Sequence, residues 1–440
     1  MTGFPNFAAA LILIAAAAPE GDAQNTIARQ VARTRDGMVQ VQFAGRPGVC
    51  GDGRDLIGYR KEFFSSSVQS FGKWSSPQCV PGPVRVSLSV SGGRVSRMQT
   101  FVGGGWPTPN ARATDLGTVS SVEAAAYFFG LIPQLEGRTN KARFMLPAVL
   151  AADDATVARL ISLARDGSRA SDTRREAIQW IGLLGDASTV PTLVAFARQG
   201  GDAPRGEDID NNDEVRGKKG LATAAIAALS FLENGAGTAA LIDLSRTGGS
   251  AVRHSAVFWL GQSGDPRALA ALHAVIENTS EEERIRAHAI FSLAHGGDNP
   301  DSEFAYLRSL FPRLTSERLK ESVIQGMGQD NSGGSAWLLQ KVRHRGETLR
   351  VRKSALFWAG QSEMTPTRDL VALYRSSQEL TIREHAIFVL SQRDDAAAAN
   401  ELLRIAKEDA DRGMRGKALF WLSQKDDPRA ASLISERLSR

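Results

Sequence analysis

The chain has 440 residues, 42% hydrophobic and 23% charged, which excludes wholesale disorder and leaves room for several domains or one long repeat array. Its net charge of +5 is uneven: residues 24–120 carry 12 basic and 5 acidic side chains, whereas residues 121–440 carry 41 of each. The neutral larger part lacks the concentrated positive field that nucleic-acid binding requires, so that class starts disfavoured.

Phe7–Ala18 is an unbroken apolar run, followed by Pro19 and the small-residue stretch Gly21-Asp22-Ala23. It is shorter than the ~20 residues of a membrane span, although no Lys or Arg precedes it. Residues 1–23 therefore read as a cleaved secretory leader, which predicts a periplasmic or secreted protein with no integral membrane segment after cleavage. Residues 24–105 follow as a small β-rich (α+β) domain. Asn25–Thr34 reads as a short helix and Met38–Phe43 as a strand. Val84–Val90 and Arg94–Val102 form a hairpin about Ser91-Gly92-Gly93, with Arg85, Ser87 and Ser89 on the outward face. Cys50 and Cys79, the only cysteines, pair most simply as a disulfide closing a loop of about 30 residues, which agrees with export. A reactive thiol at Cys50 is the sharper alternative, but the nearest histidine in sequence is His254. Residues 106–120 read as a linker, and Ser121–Gly130 as a helix that caps a helical array.

From residue 142 the sequence repeats. Val252-Arg-His-Ser-Ala-Val-Phe-Trp-Leu-Gly-Gln262 returns as Val351–Gln361, Ile382–Gln392 and Met414–Gln424, and less closely as Ile285–His295 and Leu319–Gln329. Fainter copies begin at Ala142, Thr173 and Leu221. The starts lie 31–34 residues apart except for a spacing of 48 between 173 and 221, which places an insertion at 200–217. Counting each first residue as position 0, apolar residues fall at 0, 4, 5, 7 and 8, a broad helical arc. A second helix follows a short turn, with Asp265-Pro266 and Asp427-Pro428 supplying an N-cap and a proline at the first helical position. Such hairpins hide their apolar sides only by stacking. The array, residues 121–440, is thus an all-α solenoid of about nine helix pairs. Alanine at position 4 lets the paired helix approach, and the phenylalanine column at position 6 is packing rather than a cofactor box.

The Val-Arg-x-x-Ala-x-x-x-Leu-Gly pattern resembles the bacterial HEAT-like repeats, including the short variety named after phycobilisome lyases. The resemblance covers residues 142–440 and implies a HEAT-like α-solenoid. Arrays of that kind mostly bind other proteins, and a minority support enzymes. The expected role is an exported, non-catalytic scaffold that offers its second helices to a protein partner. An enzyme or chromophore-handling protein related to the lyases is the alternative, and a nucleic-acid-binding array the third.

Position 1 is basic at Arg174, Arg253, Arg286, Lys320, Arg352, Arg383 and Arg415. Stacking aligns these as a ladder that either binds carboxylates of a partner or pairs with local acids such as Asp172, Glu283, Glu317 or Asp411. In the insertion, Asp208, Asp210, Asn212 and Glu214 are weak candidates for a hard cation, because Asp213 and Lys219 stand where an EF-hand loop needs Gly and Glu. Histidines show no ligand spacing, and no catalytic or phosphate-binding motif occurs, so neither cofactor nor catalysis is expected.

Overall fold

The computed structural model describes residues 26–54, 56–59, 62–65, 79–106, 113–136, 144–199, 213–296, 300–330, 333–425 and 429. The leader at 1–23 and the second turn motif at Asp427-Pro428 lie outside them. The chain divides into two units, Met1–Ala177 and Ile178–Arg440.

In the N-terminal unit, α1 (Thr26–Arg33) leads into β1 (Asp36–Phe43), β2 (Val49–Gly51), β3 (Leu56–Tyr59), β4 (Glu62–Ser65) and β5 (Val80–Pro81). The hairpin strands β6 (Val84–Ser91) and β7 (Arg94–Val102) and the strand β8 (Ala113–Thr118) follow. They form two four-stranded sheets, ordered β7-β6-β1-β8 and β4-β3-β2-β5. The alternation in β1 and β6 sets one register: Val39, Val41 and Phe43 lie opposite Leu88, Val86 and Val84, all fully buried. Gly92 and Gly93, at φ 57° and 72°, make the tight turn whose twist matches the flanking strands.

Three expectations change here. The stretch 106–120 is not only a linker, because β8 lies within it and pairs in parallel with β1. Its sequence, Ala-Thr-Asp-Leu-Gly-Thr, has no alternation to betray it. Arg85 and Ser87 do not face outward; they are 2% and 7% exposed. The helix α2 (Ser121–Leu135), capped by Ser120 accepting from the Glu123 amide, runs past Gly130 and Pro133.

Cys50 on β2 is bonded to Cys79 beside β5, so the disulfide is present and no cysteine is free. Phe128 of α2 packs on Phe43 at 5.9 Å. Beyond α2 come α3 (Leu146–Leu150) and α4 (Thr156–Arg165), a stunted first repeat that clusters with the sheets. Arg46 clamps α3 there, donating from Nε to the Val149 carbonyl (2.6 Å) and from Nη2 to that of Ala151 (3.0 Å).

The division between units falls in α5 (Ser171–Leu184). Second helices are α6 (Val190–Arg198), α8 (Thr238–Thr247), α10 (Pro266–Glu277), α12 (Pro300–Leu310), α14 (Gly334–Arg343), α16 (Thr367–Ser376) and α18 (Ala396–Glu408). First helices are α7 (Asp213–Phe231), α9 (Ser250–Gln262), α11 (Glu283–His295), α13 (Glu317–Met327), α15 (Leu349–Gln361), α17 (Leu380–Ser391) and α19 (Arg412–Gln424). Asp265 caps α10 by accepting from the Arg267 amide, with Pro266 in the first turn, as the sequence predicts. Residues 213–217, expected within the insertion loop, already belong to α7.

First helices bury positions 0, 4, 5 and 8, with Leu419 at position 5 of α19 only half-buried: Val351, Ala355, Leu356 and Ala359 are fully buried in α15. Successive first helices meet where position 9 of one faces position 7 of the next. A Cβ on Gly261 would stand 2.7 Å from that of Ser292, and one on Gly360 2.1 Å from the Val389 side chain. The same register brings a Cβ on Gly326 to 2.7 Å from Ala294 and sets Gly328 against Trp358. Small residues at position 9 therefore fix the distance between neighbouring repeats.

Candidate interaction face of the first helices

The basic ladder is turned inward. Arg174, Arg286 and Arg352 each donate from Nε to a carbonyl ten residues back, at the end of the preceding second helix: Ala164 (2.8 Å), Ile276 (2.9 Å) and Val342 (2.8 Å). Arg253 reaches the Gly248 carbonyl and Arg415 that of Asp409. Terminal carbonyls have no partner inside their own helix and carry the negative end of its dipole, so a cation there is doubly favoured.

Two of these side chains, Arg253 and Arg352, also reach forward, as do Lys320 and Arg383. Arg253 pairs with Glu281 and Glu282, Lys320 with Glu347, Arg352 with Glu379 through both terminal nitrogens, and Arg383 with Asp409. These acids precede or open the first helix of the following repeat. The local acids expected as partners do other work: Asp172 pairs with Arg175, Glu283 accepts from Ser316, and Asp411 caps α19. At Arg253 and Arg352 one cation thus ties the end of the previous repeat to the start of the next. The hydrogen bonds from Arg352 hold the Glu379 carboxyl below its ordinary pKa. Burial alone would raise that of Asp409, but donation from the Tyr374 hydroxyl (2.7 Å), the Asp411 amide and Arg383 prevails and lowers it.

Second helices also exchange polar bonds. His273 on α10 meets Glu303 on α12 at 2.7 Å and stacks on Tyr306, and Arg375 on α16 pairs with Glu401 on α18. The second helices, expected to receive a partner, are therefore joined to one another by ion pairs and ring contacts.

First helices present something different. At position 6, Phe258, Phe291, Phe357 and Phe388 are half-buried and Phe420 is 54% exposed, so the column is a surface as well as packing. Rings on neighbouring helices register with one another. Phe357 and Phe388 lie 6.4 Å apart and nearly parallel, and Phe388 meets Trp421 at 5.2 Å. His254 on α9 stacks on His288 of α11 at 3.8 Å, and His288 continues to Phe291 and Phe258 at about the same tilt. The His288 Nε2 is buried without a hydrogen-bond partner. Burial, with His254 beside it, pushes His288 down to about 4, and burial with nearby Arg284 lowers His254. His385, equivalent to His288 in its repeat, meets the Lys353 carbonyl at 3.0 Å and is also lowered by burial.

Asp208, Asp210 and Asn212 lie outside the described residues, and Glu214 falls in the backbone of α7. Among the described residues no cluster of His, Cys, Asp or Glu is placed to hold a metal, and no helix is long and apolar enough to cross a membrane. What sequence reasoning missed is position 10. Gln262, Gln329, Gln361, Gln392 and Gln424 are exposed beside the phenylalanine column, one turn on from position 6. Their recurrence at one place in every well-formed copy was the available signal.

Residues 252–278, spanning α9 and α10, match the PBS lyase HEAT-like repeat family. No curated protein matches the chain. Similar solved structures include the complex of CpcE and CpcF of phycocyanin lyase from Nostoc sp. PCC7120, at 15% identity and TM-score 0.27, covering 61% of this chain and 94% of that one. Human deoxyhypusine hydroxylase in complex with glycerol is similar at 15% identity and TM-score 0.24, covering 61% and 96%. An engineered protein matches at 16% identity and TM-score 0.21, covering 61% and 95%.

Proposed function

We propose that the chain is an exported, non-catalytic scaffold whose HEAT-like repeats bind another protein. The observation that carries this reading is the face of the first helices, where half-exposed aromatic rings stand at the same position in α9, α11, α15, α17 and α19 while the flanking cations are consumed in holding repeats together. Rings of this kind are the usual anchors of protein interfaces. Export rests on the apolar run at Phe7–Ala18 and agrees with the Cys50–Cys79 disulfide.

Capture from the exported fraction tests it, with the wild-type protein beside a Phe357→Ser, Phe388→Ser variant of unchanged circular dichroism. The expected result is one co-eluting protein lost from the variant. Measurable turnover of a small molecule with no protein partner would overturn the proposal. The repeat-family match at 252–278 keeps a lyase-related, chromophore-handling role as the second reading, for which chromophore binding by the purified protein is the positive sign.

A further inference from the structure

We propose that Lys341 on α14 is a covalent attachment site for an aromatic aldehyde, which its ε-amine takes up as an imine. This goes beyond the scaffold reading and stands or falls apart from it, because capture of one aldehyde per chain is not turnover.

Three elements meet at the amine. α14 carries Trp337 and Lys341 one turn apart, the single turn Phe311–Arg313 after α12 supplies Phe311, and α13 supplies Lys320. Phe311 and Trp337 stand edge to face with centroids 5.1 Å apart. The Lys341 Nζ lies 5.0 Å from the centre of the first ring and 4.9 Å from that of the second. Lys320 also sits at Phe311, 5.2 Å from its centroid, so two cations share one ring. The carboxylate in this cluster, Glu347, is bound by Lys320 at 2.7 Å as part of the ladder. Among the described residues the Lys341 amine has no hydrogen bond and no ion pair. By contrast, Lys417 is held by Glu384, and Lys425 donates to the Arg393 carbonyl at 2.6 Å.

An amine attacks only after losing its proton. Two conditions favour that loss: an apolar wall in place of water, and a second cation alongside. Lys341 has both. Ring faces do attract an ammonium, yet they return less than the water they displace. Burial takes the Lys341 pKa below the ordinary lysine range; Glu347 works against this and Lys320 adds to it.

The same surroundings choose the partner. Attack of the amine on an aldehyde carbon forms the C–N bond and sends the carbonyl electron pair to oxygen. That oxygen then leaves as water with the two amine protons, and the C=N bond forms without oxidant or reductant. A neutral imine removes one of two crowded positive charges. An aromatic substituent on it can pack on Trp337, which is half-buried and edge-on to Phe311.

The test exposes the full chain to benzaldehyde at neutral pH, traps imines with borohydride and reads each lysine by peptide mass spectrometry. Propionaldehyde serves as the aliphatic probe, and exposed Lys407 as the reference within each sample. The expected Lys341-to-Lys407 ratio is about ten with benzaldehyde and about three with propionaldehyde. Lys320→Gln, which hands Glu347 to Lys341, should cut the benzaldehyde ratio about five-fold, and Glu347→Gln should raise it about two-fold. Circular dichroism checks that both variants keep their helices. A ratio near one with both aldehydes would overturn the proposal. Equal preference for the two aldehydes would remove the rings from the site and overturn it as well. So would a high ratio indifferent to both charge variants, which reduces Lys341 to an accessible amine.

Discussion

Arg85 in the N-terminal unit and Arg352 in the repeats are both buried, 2% and 7% exposed, yet they are held by different means. Arg85 sits in a cradle of backbone, donating to the carbonyls of Gly53, Gly103 and Gly105, with Phe101 and Trp106 on its faces. Among the described residues no carboxylate reaches it, its Nε has no partner, and burial lowers its pKa. The cradle exists because Gly53 and Gly103, at φ 79° and 69°, turn their carbonyls inward where other residues would be strained. Arg352 has one carbonyl and a two-pronged carboxylate, both at helix ends. The sheet unit solves the problem of a buried cation once, with local loops. The repeat unit solves it with groups that recur at each period, and that solution can be copied.

Disrupting the cradle is expected to have the largest effect. Arg85→Ala orphans three carbonyls and opens a cavity, and about 3–5 kcal/mol should be lost from the N-terminal unit. Faster hydrogen exchange in β6 and β7, with the repeats unchanged, is the readout; uniform exchange rates would mean that the cradle bears no weight. Next comes Cys50→Ser with Cys79→Ser, expected to cost about 2–4 kcal/mol in urea unfolding of the same unit. Arg352→Met should cost about 2–3 kcal/mol, and adding Glu379→Gln should recover part of it, because the stranded carboxylate is then gone. No such rescue is available for Arg85, and a rescue failing at Arg352 would erase the contrast.

The smallest expected effect lies at the stacked histidines. His254 and His288 are held below the ordinary 6.5, so the unfolded chain takes up protons that the native state refuses. The stability they contribute is complete above pH 6.5 and is lost as pH falls toward about 4, the folded value of His288. A drop on the order of a few degrees in thermal midpoint between pH 7 and pH 4.5 should follow, and His288→Phe should flatten it. Parallel curves for both proteins would place the acid sensitivity elsewhere.

The repeat was legible because one period governs it: apolar positions, caps and the small residue at position 9 all recur. The hairpin β6–β7 was legible for the same reason, with a period of two. What escaped depends on pairing across the chain. Arg352 finds its acid at Glu379, nearly one period downstream, where no local rule points. β8 is a strand only because β1 offers an edge, and Arg85 is interior only because two glycine loops cover it. The position 6 ring and the position 10 amide were visible as letters, but their shared exposure follows from how closely the first helices stack.

The ladder of cations also gives the array a polarity. Arg253 and Arg352 each look back to a carbonyl and ahead to an anion that the next hairpin brings, and Lys320 and Arg383 look ahead in the same direction. Splicing in or excising one whole period among these repeats therefore keeps such pairs matched, whereas a cut made half a period out of phase strands a cation on one side and an anion on the other. Lengthening by duplication is electrically neutral at each step, which suits a fold whose reach is set by how many copies it carries.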